Sequence, residues 1–247
     1  MSIYQKKILI VSSDYNNLFF KKIIFYLKNE LEYVSVQMLN KSSTNKYSKF
    51  KRNIFLIMML TIKEVFQLIY QIIKFKFNQK KFNYSFDSID SINSSNFINF
   101  LNSKNFNLIV LLNCVEVIKQ ETLEKINIDI INFHPGLLPK YKGLFPNFYS
   151  LVNNEKNIGL TLHKVNNKID GGQIIKKYLI PINKKDGLLN TYQKLYDSKE
   201  TIEFMKDCIA NYDNLKNMAT TQKDVGCYNS FPTLFKILRF RFLKKNA

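Results

Sequence analysis

Residues 128–146 combine an apolar strand with an abrupt change of chain direction. The stretch reads IDIINFHPGLLPKYKGLFP and contains three prolines and two glycines. Because successive residues of a strand point to opposite faces, Asn132 and His134 share one face at the strand's carboxyl end. Ligands bind at that end of an open parallel sheet. The stretch therefore predicts a buried parallel strand that leads directly into a binding site.

A second polar cluster follows one strand later. Residues 159–163 form the run GLTLH, and the turn at 169–172 reads IDGG, where two glycines permit backbone geometry that other residues resist. Each motif alone is more typical of a loop pair or a plain turn. Together, Asn132, His134 and Asp170 can converge as an amide, an imidazole and a carboxylate.

The remaining apolar runs alternate between strand and helix patterns. Four are short and rich in β-formers: 7–11, 33–39, 107–112 and 176–182. Three have helical patterns: 15–29, 120–126 and 187–211. Such alternation is typical of βαβ units. The sequence therefore predicts an α/β fold, a Rossmann-like domain with a mostly parallel sheet.

The chain is expected to divide into a catalytic domain over 1–185 and a small helical and extended appendage over 186–247. The appendage ends in a basic tail with large apolar residues, which are Phe235, Leu238, Phe240 and Phe242. Such groups normally find cover, either on the core or in a partner subunit. The tail and a long apolar helix suggest a homodimer, although both would equally complete a monomer's core.

The motifs resemble the core of the 10-formyltetrahydrofolate-dependent formyltransferases. The matching stretches fall in the family's order and spacing: NFHPGLLPKYKG at 132–143, GLTLH at 159–163 and IDGGQII at 169–175. The resemblance extends from about Asn107 to about Ile182. It implies a formyltransferase core, 10-formyltetrahydrofolate as co-substrate and no metal. It also implies that Asn132, His134 and Asp170 are the catalytic residues.

By the same resemblance, the segment after the strand at 107–112 contacts the pterin ring of the folate through its backbone. The candidate cofactor-binding residues are Cys114, Val115, Glu116 and Val117. Some relatives have an arginine where this chain has Glu116, so no charge role is carried over. We do not expect Cys114 to act as a nucleophile, because apolar surroundings favour the neutral thiol.

Two further sets are candidate substrate-binding residues. Ser12 and Ser13 follow the first strand, where purine-pathway relatives have a glycine-rich phosphate loop that this chain lacks. A helix-capping role for Ser13 or Asp14 is an equal alternative. Tyr141, Lys142 and Phe145 follow the catalytic strand, where basic and aromatic groups can bind a phosphorylated substrate. Exposed loop positions would explain these three equally well.

The chemistry of formyl transfer accounts for the three catalytic residue types. The attacking amine must lose a proton, the formyl oxygen gains negative charge, and the folate nitrogen must be protonated to leave. The Asn132 amide can donate to that oxygen. His134 can polarise the carbonyl or accept the amine's proton, since imidazole titrates near neutrality. Asp170 can orient His134 or hold a water molecule that relays protons.

Composition limits the partners. The chain has 37 basic and 19 acidic residues, a net charge of +18, which attracts anions such as nucleic acid, acidic lipid or phosphorylated metabolites. The lysines are spread along the chain, so a general compositional bias explains them as well, and we expect no nucleic-acid partner. Three cysteines and two histidines lack metal-ligand or disulfide spacing. We therefore expect a reducing, cytoplasmic location, and the first apolar run is too short for a signal peptide.

Residues 54–77 are mostly apolar but contain charges near the middle. Lys63 and Glu64 would be expensive in lipid, and Gln67 and Gln71 follow. We therefore expect a buried or amphipathic helix rather than a membrane span. Basic residues flank the segment, so peripheral membrane contact through acidic lipid is an open alternative.

The acceptor is predicted by elimination within the family that the motifs resemble. Initiator-tRNA formyltransferases have a further C-terminal domain for which too few residues follow Ile182, and glycinamide-ribonucleotide formyltransferases keep the glycine-rich loop. We expect a sugar N-formyltransferase that acts on a nucleotide-linked amino sugar of bacterial surface polysaccharide such as O-antigen lipopolysaccharide, with a dTDP-4-amino-4,6-dideoxyhexose as the best candidate. The alternatives are glycinamide ribonucleotide or initiator tRNA as acceptor, or a non-catalytic relative that binds membrane or nucleic acid.

Overall fold

A computed structural model describes residues 6–13, 18–31, 34–39, 54, 57–77, 87–114, 116–223 and 226–245. The strands are β1 (Ile8–Ser12), β2 (Val34–Leu39), β3 (Asp87–Ile89), β4 (Leu108–Leu112), β5 (Asp129–His134), β6 (Tyr141–Gly143), β7 (Asn157–Lys164), β8 (Ile174–Pro181) and β9 (Cys227–Asn229). The helices are α1 (Leu18–Glu30), α2 (Ile62–Phe77), α3 (Ser95–Lys104), α4 (Gln120–Leu123), α5 (Pro146–Val152), α6 (Leu188–Tyr196), α7 (Lys199–Ala210), α8 (Tyr212–Leu215) and α9 (Leu234–Lys245), with a 3-10 turn at Lys216–Met218.

Seven strands form one sheet in the order β3-β2-β1-β4-β5-β7-β8. The first five are parallel to their neighbours, whereas β7 and β8 are antiparallel. The sheet is mostly parallel, so the predicted α/β, Rossmann-like fold is confirmed. β6 and β9 form a separate parallel pair.

Both faces of the sheet are covered by buried side chains. In β1, Ile8 and Ile10 belong to one buried cluster, whereas Leu9 and Val11 belong to the other, as the two-residue period of a strand requires. Strands buried on both faces have nearly continuous apolar sequences. This explains why β4 has the sequence LIVLL and is buried throughout.

The predicted continuous helix over 187–211 is wrong, because two helices occupy this region. Ser198 between them has an extended backbone, and its Oγ accepts a hydrogen bond from Thr201 N at 3.2 Å. A serine in this conformation caps a new helix instead of continuing the previous one. The helix expected over 120–126 is also shorter, since α4 ends at Leu123 and continues as turns.

The C-terminal tail folds back onto the loop that follows β5. β9 pairs with β6 in this loop, and the ring of Phe240 in α9 lies 5.3 Å from that of Phe148 in α5. Ile237 and Phe240 belong to the same buried cluster as Ile8 and Ile10. The tail therefore contributes to the main core. The domain boundary after residue 185 stays a prediction.

Helix α2 begins at Ile62, later than the expected start at residue 54. Thr61 and Glu64 form a capping box, in which Thr61 N donates to Glu64 Oε2 at 2.9 Å and Glu64 N donates to Thr61 Oγ1 at 3.2 Å. Residues 54 and 57–59 are also helical, and residues 55 and 56 lie outside the described part. Among the described helices, none is long and apolar enough to cross a membrane.

Candidate active site

β5 and β7 place three polar side chains at one end of the sheet. The strands pair antiparallel, with Asn132 opposite His163 and His134 opposite Thr161. Nδ2 of Asn132 lies 3.1 Å from Nε2 of His163, and the rings of His134 and His163 are 6.4 Å apart. Two adjacent strands thus bring one amide and two imidazoles together.

The turn between β7 and β8 adds the carboxylate. Oδ1 of Asp170 lies 3.3 Å from Nδ1 of His134 and 3.7 Å from Nε2 of His163, while Oδ2 accepts a hydrogen bond from Gly143 N at 2.8 Å. Asp170 has a φ of +48°, a left-handed conformation that aspartate adopts more readily than most residues. The structure therefore brings Asn132, His134 and Asp170 together around His163.

Gln222 in the C-terminal tail holds this turn in place. Its Nε2 donates to the carbonyl oxygens of Asp170 at 2.8 Å and Gly172 at 2.7 Å. A Cβ on Gly172 would lie 1.7 Å from the carbonyl oxygen of Lys164, so only glycine allows this close approach. Sequence reasoning did not identify Gln222, because its contacts are to backbone atoms far away in the chain.

The proline- and glycine-containing loop packs directly on His134. Nε2 of His134 lies 2.6 Å from the carbonyl oxygen of Tyr141. A Cβ on Gly136 would lie 2.7 Å from Pro146 Cβ and 2.8 Å from His134 Nε2. Thr161 Oγ1 donates to the carbonyl oxygen of Gly136 at 2.6 Å. Gly136 therefore permits the loop to turn tightly over the imidazole.

Burial and nearby charges set the protonation states of His134 and Asp170. Burial lowers the pKa of His134 below its usual 6.5, and the nearby Asp170 charge only partly opposes this. Burial alone would raise the pKa of Asp170, but the nearby His134 and His163 rings and the Gly143 N–H lower it to about 2. At neutral pH the site therefore holds an aspartate carboxylate beside a neutral imidazole.

The neutral His134 ring is suited to receive a proton. Both groups that face its nitrogens, the Tyr141 carbonyl oxygen and the Asp170 carboxylate, are acceptors. A neutral ring has one N–H and satisfies one of them, whereas the imidazolium satisfies both. The surroundings thus stabilise the proton after it arrives, while burial keeps the resting ring neutral.

His163 positions the amide of Asn132. Its Nδ1 lies 2.8 Å from the carbonyl oxygen of Lys164, which places the proton of the neutral ring on Nδ1 and leaves Nε2 to accept from Asn132. An amide nitrogen has two N–H donors, so the second can serve a developing oxyanion. The position of His163 opposite Asn132 is the observation that links it to the site.

The candidate cofactor segment lies beside Asn132. β4 pairs with β5, with Leu111 opposite Asn132, and the chain then enters the segment through Asn113. The Glu116 carboxylate accepts from Ile92 N at 2.9 Å and Asn93 Nδ2 at 3.0 Å. Glu116 therefore fixes the backbone of this segment against the loop before α3.

The other three predicted cofactor residues differ in their surroundings. Cys114 is partly buried, and burial raises the pKa of its thiol to about 11, as expected for a residue that is not a nucleophile. Val117 is 45% exposed. Val115 lies outside the described residues.

Ser12 and Ser13 lie at the same edge of the sheet, at the end of β1. Ser12 is opposite Leu112 of β4 and completely buried, and its hydroxyl has no hydrogen-bond partner among the described residues. Ser13 N donates to the carbonyl oxygen of Asn113 at 3.4 Å. The two serines thus adjoin the candidate cofactor segment. Asp14, the other candidate cap of α1, lies outside the described residues.

Tyr141, Lys142 and Phe145 are not exposed loop residues. Tyr141 is 3% and Lys142 is 9% exposed, and the Tyr141 hydroxyl donates to Glu155 at 2.6 Å. The ring of Phe145 lies 5.1 Å from that of Phe231 in the tail. Their burial contradicts the alternative that they are ordinary exposed loop positions.

Within the described residues, no group of three or more histidine, cysteine, aspartate or glutamate side chains has the geometry of a metal site. The chemical resources of this end of the sheet are one amide donor, two imidazoles and one carboxylate. Such a set can donate to a developing oxyanion and transfer a proton.

Comparison with known proteins defines the class. A profile of the family described as Formyl transferase matches residues 6–205. This match covers most of the chain, so the chain belongs to the formyl transferase family. Membership supports a formyltransferase activity, in agreement with the motifs at 132–143 and 169–175. The predicted family is confirmed.

Curated relatives match a shorter stretch. The chain is 39% identical over 80 residues to the bifunctional polymyxin resistance protein ArnA of Wigglesworthia glossinidia brevipalpis, which is 32% of this chain and 12% of the relative. It is 35% identical over 89 residues to the methionyl-tRNA formyltransferase of Enterococcus faecalis, which is 36% of this chain and 28% of the relative. The match thus spans less than a third of either relative.

Solved structures match nearly the whole chain. A sugar N-formyltransferase from a Shewanella species has a TM-score of 0.60 at 21% identity, over 95% of this chain and 87% of that chain. An N-formyltransferase from Helicobacter canadensis, in complex with folinic acid and dTDP-3-aminofucose, has a TM-score of 0.54 at 19% identity, over 96% and 79%. At these identities the likeness shows the fold.

Proposed function

We propose that this formyltransferase transfers a formyl group from 10-formyltetrahydrofolate to the amino group of a nucleotide-linked amino sugar. The observation that supports this acceptor is coverage, because two enzymes of this kind match at least 95% of the chain. The specific substrate is a dTDP-4-amino-4,6-dideoxyhexose, and the product serves bacterial surface polysaccharide such as the O-antigen of lipopolysaccharide. A cytoplasmic location and a homodimer belong to the same proposal, and cell fractionation and light scattering test them.

The folate site is the segment after β4, which lies beside Asn132. Cys114, Val115, Glu116 and Val117 hold the pterin ring through their backbone, and Glu116 keeps that backbone fixed by its bonds to the loop at 91–93. The unpartnered hydroxyl of Ser12 at this edge is a donor that a bound ligand can engage. 10-Formyltetrahydrofolate supplies the formyl group when bound.

The catalytic roles follow from the contacts. Asn132, held by His163, donates to the formyl oxygen as it gains charge. His134 accepts the proton of the attacking amine, because its buried ring is neutral and faces two acceptors that stabilise the imidazolium. Asp170 orients His134 and stabilises its charge, in the way that a carboxylate supports a catalytic histidine. The proton then leaves His134 for the departing folate nitrogen.

Two segments of the chain provide the proposed contacts to the acceptor. Ser12 and Ser13 at the end of β1, and Tyr141, Lys142 and Phe145 after β5, are the proposed contacts. A buried lysine beside the catalytic loop suits the pyrophosphate of a nucleotide sugar. The net charge of +18 adds a general attraction for such an anion.

Initiator methionyl-tRNA is the second candidate acceptor, because a curated relative is a methionyl-tRNA formyltransferase. The deciding experiment incubates the protein with 10-formyltetrahydrofolate and aminated dTDP-, UDP- and GDP-sugars, alongside glycinamide ribonucleotide and charged initiator tRNA. We expect formylation of a dTDP-linked 4-amino sugar. Formylation of the tRNA or the ribonucleotide, and of no sugar, would overturn the proposal.

A further inference from the structure

Helix α2 is attached to the rest of the molecule through polar contacts and through Val65 and Leu68, which pack against the buried core. The buried Glu64 carboxylate accepts from Thr61 N at 2.9 Å and from Leu189 N at 2.8 Å, so one side chain caps both α2 and α6. Gln67 Nε2 donates to Gln193 Oε1 at 3.3 Å. The side of α2 that faces the protein therefore contains its only carboxylate and a paired amide.

The opposite side of α2 is apolar and faces solvent. At 3.6 residues per turn, six large side chains fall in one sector of about 100°, and each is at least 48% exposed: Ile62, Phe66, Ile69, Tyr70, Ile73 and Phe77. Lys63 and Lys74 border one edge of this sector, and Lys76 borders the other. A helix that simply covers the core has the reverse orientation.

Helix α9 repeats this arrangement. Four apolar side chains, each at least 53% exposed, fall in one sector of about 100°: Leu234, Phe235, Leu238 and Phe242. Arg239 and Arg241 border its two edges, while Ile237 and Phe240 face the core. Two separate helices thus show an exposed apolar stripe between cations.

The two helices are neighbours in the fold. Arg241 Nη2 donates to the carbonyl oxygen of Leu60 at 3.2 Å, and Leu60 lies just before α2. We call the ten exposed apolar side chains of the two stripes, with Lys63, Lys74, Lys76, Arg239 and Arg241, the α2–α9 surface.

We propose that the α2–α9 surface binds the headgroup region of an anionic lipid bilayer. Helices that lie in a membrane interface have an apolar face bordered by lysine or arginine. The apolar rings enter the boundary with the acyl chains, while the cationic ends of the long side chains reach the lipid phosphates. Both helices of this surface meet these requirements.

Charge favours a lipid surface over a second copy of the chain as the occupant. Neither helix contains an acidic residue apart from the buried Glu64. A twofold dimer through the α2–α9 surface would place the same cations opposite one another, whereas anionic phosphates complement them. The net charge of +18 favours the same partner.

A single fluorophore tests insertion directly, because the chain contains no tryptophan. With Phe66→Trp, we expect a blue shift of the emission on adding vesicles of phosphatidylcholine and phosphatidylglycerol, and none with phosphatidylcholine alone. Met218→Trp is the matched control, since Met218 is 61% exposed but lies outside the α2–α9 surface. Its emission should not change with either vesicle.

Vesicle flotation of the full chain then separates the apolar and charged contributions. Phe66→Ser with Ile73→Ser should lower the partition coefficient at least about tenfold. Lys63→Gln and Lys76→Gln should each lower it about fivefold at low salt and less at high salt. The exposed controls Met218→Ser and Lys125→Gln should leave it unchanged. Formyl transfer in solution without vesicles should be unaffected by all of these substitutions.

Three results would overturn the proposal. The first is no tryptophan shift and no flotation with anionic vesicles. The second is equal binding to neutral vesicles. The third is a dimer in light scattering that Phe66→Ser with Ile73→Ser dissociates, which would make this surface an interface between copies. None of these results bears on the acceptor of the formyl group.

Discussion

The end of β5 and helix α2 place their polar and apolar groups in opposite ways. At the end of β5 the polar residues are enclosed, with His134 4% exposed and His163 of the neighbouring β7 3% exposed, and they contact other polar side chains, Asp170 and Asn132 respectively. In α2 most of the large apolar residues are exposed, with Phe77 at 85%, while Glu64 is buried against backbone N–H groups.

The difference shows that burial of a polar group does not by itself mark a functional site. Buried polar groups need partners in either case. The Glu64 carboxylate uses its acceptor capacity on backbone amides of two helices, which is a structural role. The Asp170 carboxylate faces two imidazoles, at 3.3 Å and 3.7 Å, and in the proposed mechanism these contacts couple its charge to proton transfer. The nature of the partner distinguishes the two regions.

The largest expected effect is on the rate of formyl transfer, when residues at the end of β5 and in the Asp170 turn are replaced. His134→Gln and Asp170→Asn should each lower the rate of formyl transfer by at least about 100-fold, because they remove the proton acceptor or its charged support. Circular dichroism and thermal melting should show a folded protein in both. A His134→Gln enzyme with nearly normal turnover would contradict the assignment, and the effect should persist with whichever acceptor is formylated.

The dependence of stability on acid pH tests the charge of Asp170 in the same site. The pKa of Asp170 is about 2 in the folded state against an ordinary 3.8, so the unfolded chain takes up the proton first as pH falls. The resulting stabilisation, about 2 kcal/mol, is present above about pH 4 and is lost as pH falls to about 2. Urea unfolding between pH 2 and 6 should show this loss in the wild type and not in Asp170→Asn.

The titration of His134 also lowers the stability of the folded protein as pH falls, but it does so at higher pH than that of Asp170. Burial lowers its pKa from 6.5, so the unfolded chain again binds the proton first, and stability falls as pH drops below that value. The His134→Gln variant should lose this upper part of the pH dependence and keep a smaller part due to Asp170, because His134 is one of the groups that lower the pKa of Asp170. If the two variants show the same profile, the two titrations are not separate.

How much the sequence could predict follows the same division. The sequence predicts β1 and β4 because buried parallel strands have nearly continuous apolar sequences. The placement of Asn132 and His134 on one face of β5 follows from the two-residue period of a strand. Helical periodicity shows which residues of α2 share a face, but it does not show which face turns inward. That orientation depends on the cap that Glu64 provides for α6, a contact between residues far apart in the chain.

Other differences have equally physical causes. The break between α6 and α7 depends on Ser198, whose side chain caps the second helix in competition with continued helical pairing. Gln222 holds the Asp170 turn through backbone carbonyl groups, and a glutamine in an extended tail gives no local signal of this. The position of His163 opposite Asn132 required the register of β5 and β7.

A smaller effect, on the free energy of unfolding, is expected when Glu64 of α2 is replaced. Glu64→Ala removes the shared cap of α2 and α6 and should lower the free energy of unfolding by about 1–2 kcal/mol, with turnover nearly unchanged. Glu203→Ala is the matched control, because its carboxylate is exposed and, among the described residues, pairs with Lys199 at 3.5 Å. Its effect should be below about 0.5 kcal/mol. A large loss of turnover in Glu64→Ala at a temperature where it remains folded would connect the two regions.

The smallest expected effect on stability concerns Ser12. Ser12 is buried like Glu64, but it lies at the same edge of the sheet as the proposed catalytic residues. Its hydroxyl is fully buried at the end of β1 and has no hydrogen-bond partner among the described residues. Removing a buried polar group without a partner costs little and can stabilise the fold, so Ser12→Ala should unfold at the same urea concentration as the wild type or higher. If the hydroxyl contacts a ligand, KM for the folate or for the acceptor should rise while stability is unchanged, and Ser12→Thr should recover part of the loss because it restores the hydroxyl. A destabilised Ser12→Ala protein with unchanged KM values would instead place Ser12 with Glu64, as a residue whose burial serves only the fold.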